Sequence, residues 1–202
     1  MSGNSNRFVL LGGRVAVDFA NTALARAGTI EDWSGLVAFL EQAQVISRER
    51  ASALVALERT DPQTVDALLR KAFTLRTGLA QALRALARQE AVEHASIVVI
   101  NELLQVTEGH DELVTEGHGW KLRFVARERH PEWLLTAIAR SAAEIVSEGA
   151  AALRKCANPA CPLLFYDDSR NGRRRWCSMA TCGNRSKVAA FAKRMVKRGG
   201  SR

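Results

Sequence analysis

Cysteine is absent from the first 155 residues of this 202-residue chain. Thiol chemistry is therefore excluded from its larger part. No stretch approaches the roughly 20 apolar residues that span a bilayer, so no membrane partner is expected. No N-terminal apolar run has the length or flanks of a secretory signal. No phosphate-cradling loop is present either, since Gly12-Gly13 lacks both the spacing and the lysine. The four histidines (His94, His110, His118 and His130) form no metal-ligand pattern. Internal repeats and Pro/Ser-rich linkers are missing too. These absences point away from an enzyme and towards a cytoplasmic binding protein, and paired cysteines in a reducing compartment favour metal over disulfide.

Acidic residues are scarce in one region. From Arg154 onward there are thirteen Lys/Arg and two acids, Asp167 and Asp168, a net charge of +11. Residues 1–153 sum to −3. A mildly acidic body with a strongly basic tail implies a polyanionic partner for the tail.

All four cysteines lie in that tail. Cys156 and Cys161 form one local pair; Cys177 and Cys182 form another with the same gap. Two such pairs suit one structural Zn²⁺ held by four thiolates, with no open position for substrate. Two disulfides and an iron–sulfur cluster are the alternatives. Asn158-Pro159-Ala160 suits a tight turn. Asn171-Gly172, between LFYDDS and RRRW, signals a hairpin. Cys182 then opens a helical pattern in which Val188, Phe191 and Met195 share one face, expected to point into the core. The order of knuckle, hairpin and helix is that of a treble-clef-like zinc finger.

The body reads as mainly α-helical. A segment over residues 8–15 leads into a helix near Val15. Apolar spacing predicts helices over 31–44 and from a Ser47 cap to Glu58. Asp61-Pro62 starts a long helix with Val65, Leu68, Ala72, Leu75, Leu79, Leu83 and Leu86 in one stripe. Residues 96–106 lean towards helix, and 112–126 read as a hairpin around Gly117–Gly119. A last helix from His130-Pro131 carries its apolar face through Ile145, Gly149 and Leu153, almost to Cys156. Residues 1–153 are thus expected to form the body and 154–202 the finger.

The stretch WCSMATCGNRSKVAAFAKR resembles the CGNR zinc finger, whose signature stands here as Cys182-Gly183-Asn184-Arg185. Asp18-Phe19-Ala20-Asn21-Thr22, following Gly13, is similar to the opening of the ABATE-type domain that usually precedes this finger. The resemblance implies a stress-linked transcriptional regulator of a prokaryote. It also favours DNA over RNA as the partner.

The candidate nucleic-acid contacts are Arg173, Arg174, Arg175, Arg185, Lys187, Lys193, Arg194, Lys197 and Arg198. Arg185 has a second reading, as a brace of the metal loop. Phe165, Tyr166 and Trp176 either stack on bases or form the finger's small core. Asp18, Asn21 and Thr22, with Arg76, either cap the chain entry or line a pocket for a small-molecule effector. A homodimer fits a regulator. An RNA-binding protein and a protein-interaction zinc module are the competing functions.

Overall fold

The computed structural model describes residues 7–105, 109–117, 119–126 and 132–199. Met1–Asn6, His118 and His130-Pro131, which enter the sequence reading, lie outside them. Among the described residues the fold is mainly α, with seven α-helices and two small two-stranded sheets.

The body begins with α1 (Val15–Asn21) and α2 (Trp33–Gln42). Then follow α3 (Arg48–Thr60) and the 26-residue α4 (Pro62–Ala87). The caps are those the residue types demand. Asp32 accepts from the Gly35 amide, Ser47 from that of Arg50, and Asp61 from that of Thr64, each side-chain oxygen satisfying a free helix-start N–H. All seven residues of the α4 stripe are buried. They meet α1, α5 (His94–Gln105) and α6 (Trp133–Glu148) around a core that includes Phe19, Trp33 and Phe39. Burial of such side chains contributes about 1.5–3 kcal/mol each.

Strands β1 (Gly109–Glu116) and β2 (Gly119–Ala126) pair antiparallel, with Leu113 opposite Leu122. Leu113, Trp120 and Leu122 are exposed. Their alternation puts all three on one face of this hairpin.

Two expectations are corrected here. Helix α6 does not run almost to Cys156: it ends at Glu148, because Gly149 adopts φ +81°, a left-handed conformation that other residues resist. The chain then forms β3 (Leu153–Lys155). Strand β4 (Leu164–Tyr166) pairs with β3, and residues 173–176 form no strand. The finger's hairpin therefore spans the first cysteine pair, not Asn171-Gly172. That dipeptide instead closes a short turn, with the Gly172 amide donating to the Ser169 carbonyl at 2.9 Å.

Candidate metal centre and its seam with the body

The β3–β4 hairpin brings Cys156 and Cys161 to its tip. Residues 173–177 return alongside, with the Ala157 amide donating to the Arg175 carbonyl at 2.8 Å. Cys182 lies in a wide turn over Met179–Gly183 that runs into α7 (Asn184–Gly199). Ser178 caps this turn through the Thr181 amide, and Asn184 donates to the Ala180 carbonyl at 3.2 Å.

The four sulfurs converge. All lie within 4.8 Å of one another. Cys161 and Cys177 Sγ stand 3.8 Å apart, and Cys177 and Cys182 Sγ 3.7 Å. Four sulfurs at about 2.3 Å from a tetrahedral ion are separated by about 3.8 Å. The cysteines are buried with Leu163 and Phe165, and Leu11, Leu24, Ala27 and Trp176 pack against them. The four thiols form a closed candidate site for a metal ion.

Without a metal, burial pushes the Cys161 and Cys177 thiols up. Burial opposes ionisation of Cys182 as well, but hydrogen bonds led by that from Asn158 prevail and bring it down to about 7. Metal binding to such a set releases protons. Two donors converge on Cys182 Sγ: Asn158 Nδ2 at 3.5 Å and Arg26 Nη2 at 3.6 Å. Neither was found by sequence reasoning. Asn158 carried only a turn signal, and Arg26, 156 residues from its sulfur, carried none.

The basic cluster divides. Arg174 is half-buried and stacks 4.6 Å from the Phe165 ring centroid. Its guanidinium donates to the carbonyls of Leu11, Trp176 and Cys177. Arg174 thus braces the metal loop and ties it to the N-terminal segment. Arg173, Arg175, Arg185 and Lys187 are exposed. The side chains of Lys193, Arg194, Lys197 and Arg198 lie outside the described residues. Phe165 and Tyr166 are buried and Trp176 is half-buried against the cysteines, so they form core.

Buried Asp167 organises the turn before Arg174. It accepts from Arg154 Nε at 3.1 Å, the Arg174 amide at 2.9 Å and the Ser169 amide at 3.2 Å. Burial raises its pKa, yet hydrogen bonds led by that from the Ser169 hydroxyl outweigh burial and hold the carboxyl below its usual range.

A further correction concerns α7. Val188, Phe191 and Met195 do not face a core. They are 68%, 58% and 53% exposed, because the finger has no second layer to receive them among the described residues.

Asp18 and Asn21 form the seam between body and finger, with Thr22 beside them at the end of α1. Asp18 Oδ1 accepts the Gly12 amide at 2.7 Å. A side chain at Gly12 would place its Cβ 2.8 Å from that carboxylate oxygen, so the loop closes only over glycine. The Gly12 carbonyl in turn accepts the Tyr166 amide of β4 at 2.7 Å. Asn21 pairs with both backbone groups of Leu164, donating at 2.9 Å and accepting at 3.1 Å. Its amide completes β4 as a neighbouring strand would. Thr22 donates to the Phe19 carbonyl at 2.6 Å. Burial raises the Asp18 pKa to about 6 against the bonds from Gly12 and Leu11 and the charge of Arg174. Arg76 stands elsewhere, donating to the Ile30 carbonyl at 3.0 Å beside Phe73; desolvation lowers its pKa. The four residues do not converge: Asp18 and Asn21 serve the seam, Thr22 closes the last turn of α1, and Arg76 serves the body.

This geometry defines a metal-binding finger built into a helical body. The chain belongs to the ABATE family, described as "Putative stress-induced transcription regulator", which matches residues 13–149. Residues 152–195 match the CGNR zinc finger. No curated protein matches the chain. Among the described residues, no helix is long and apolar enough to cross a membrane.

Proposed function

We propose that the chain is a cytoplasmic DNA-binding transcriptional regulator, not an enzyme, and that one structural Zn²⁺ on Cys156, Cys161, Cys177 and Cys182 organises its binding surface. One observation carries this reading. Arg173, Arg175, Arg185 and Lys187 stand exposed around a buried four-sulfur site, and no carboxylate among the described residues pairs with them. Lys193, Arg194, Lys197 and Arg198 extend the charge along α7 in sequence. Such a surface meets phosphates, and α7 has the form to lie against a backbone or enter a major groove. The body (residues 1–153) would sense an effector and shift the finger's orientation through the seam. The proposal extends to a dimer formed through the body, where Leu113, Trp120 and Leu122 are exposed.

Gel shifts of zinc-loaded protein with duplex DNA and structured RNA test the reading. Duplex binding that weakens with salt by a log–log slope of about −0.9 per neutralised phosphate is expected. Preference for RNA would shift the assignment to an RNA-binding protein. A second reading, a protein-interaction zinc module, is favoured by the exposed Val188, Phe191 and Met195. Absence of binding to either nucleic acid at low salt would select it.

A further inference from the structure

A cleft of about 460 Å³ opens where the C-terminal end of α4 meets the finger. Five cations line it: Arg88 from the body, and Arg154, Lys155, Arg174 and Arg175 from the finger. No carboxylate stands among its described lining residues.

Three of the five are engaged. Arg174 serves the loop carbonyls, and Arg154 is held by Asp167 and the Gly172 carbonyl. Arg88 meets Glu90 at 3.7 Å, with both side chains more than half exposed. A pair of that kind is weak and yields readily to a stronger anion. Lys155 and Arg175 are exposed, and no carboxylate partners them among the described residues. The Arg175 guanidinium lies 4.9 Å from the Trp176 ring centroid. Stacking steadies it through its face and leaves its in-plane N–H groups free. The last carbonyls of α4 add partial negative charge to one wall, which Arg88, at that helix end, offsets.

The cleft's size lies within the range of small-molecule sites. One carboxylate would satisfy a single arginine. Several cations drawn from three segments suit an anion with several charged oxygens, and planar guanidinium forks match phosphate. We propose that this cleft is a phosphate-binding site shared by body and finger. The phosphate has two sources: a free polyphosphate, or the backbone of a nucleic acid continuing past Arg173 and Arg175. Only the second source rests on the function proposed above.

The test uses full-length zinc-loaded protein and two probes, inorganic triphosphate and a 20-base-pair duplex. The test variant is Arg88→Glu/Lys155→Glu, at two exposed positions outside the metal site. Arg59→Glu/Arg70→Glu, on the body, controls for net charge. For a free polyphosphate, triphosphate raises the wild-type and control melting temperatures by several degrees, and the test variant loses the shift. For a backbone, the test variant weakens duplex binding at least tenfold, reduces the salt slope by about 1–2, and the control does neither. Wild type that ignores the duplex yet is stabilised by triphosphate would remove the nucleic-acid reading and leave the cleft standing. A test variant that matches the control with both probes would overturn the proposal, as would wild type that responds to neither.

Discussion

Arg26 Nη2, on the body, donates to Sγ of Cys182, in the finger, at 3.6 Å. The contact sets a positive charge against a site where four thiolates would outweigh a divalent ion. It also makes the body part of the metal's surroundings. Outer partners of this kind typically account for 10–100-fold in metal affinity. Arg26→Ala is expected to bind zinc about tenfold more weakly in a chelator competition, with Arg26→Lys intermediate. Equal affinities in all three proteins would show that the contact does not act on the metal.

Asn21→Ala should destabilise the chain more than most surface changes. It leaves the N–H and C=O of Leu164 buried without their partner. Each such group costs about 1–3 kcal/mol, so a loss of about 2–6 kcal/mol is expected in urea unfolding. A loss below about 1 kcal/mol would mean that β4 does not depend on this side chain.

Arg174 and Arg175 are neighbours in sequence with opposite expected phenotypes. Arg174→Ala removes a half-buried guanidinium from three carbonyls and should cost about 2 kcal/mol of stability. Arg175→Ala should leave the melting temperature unchanged and lower duplex affinity. Interchanged results would reverse the division between brace and contact.

Asp18 gives the seam a pH dependence. Its folded pKa of about 6 exceeds the usual 3.8. The folded chain therefore binds more protons than the unfolded chain between these values, and stability falls as pH rises through that window. The shift corresponds to about 3 kcal/mol. Asp18→Asn keeps an oxygen for the Gly12 amide but lacks the titration. Relative to wild type, the variant should gain stability from pH 4 to pH 7 in paired urea titrations, a difference that cancels metal loss common to both. A constant difference would contradict the buried, titrating carboxyl.

Much of this structure was legible in the residues because the signals were local. The Ser47 and Asp61 caps, the α4 stripe and the paired cysteines each act within a few positions. The finger's strand pairing was missed because Asn171-Gly172 is a strong turn signal, while the real partner of β4 lies across the cysteine knuckle. Val188, Phe191 and Met195 repeat at helical spacing, which marks an apolar face without saying whether anything covers it. Arg26 and the roles of Asp18 and Asn21 depend on contacts between distant segments. The triplet Arg173–Arg175 carries uniform charge, and only the packing on Phe165 and the bonds to three distant or loop carbonyls separate Arg174 from its neighbours.

If a single metal ion creates the cationic surface, loading the metal must create nucleic-acid binding. The most direct test is a zinc titration into reduced, metal-free protein, followed by fluorescence anisotropy of a labelled duplex at low salt. Duplex binding is expected to be absent at the start, to grow in proportion to added zinc and to saturate at one ion per chain. Full duplex binding by the metal-free protein would contradict it.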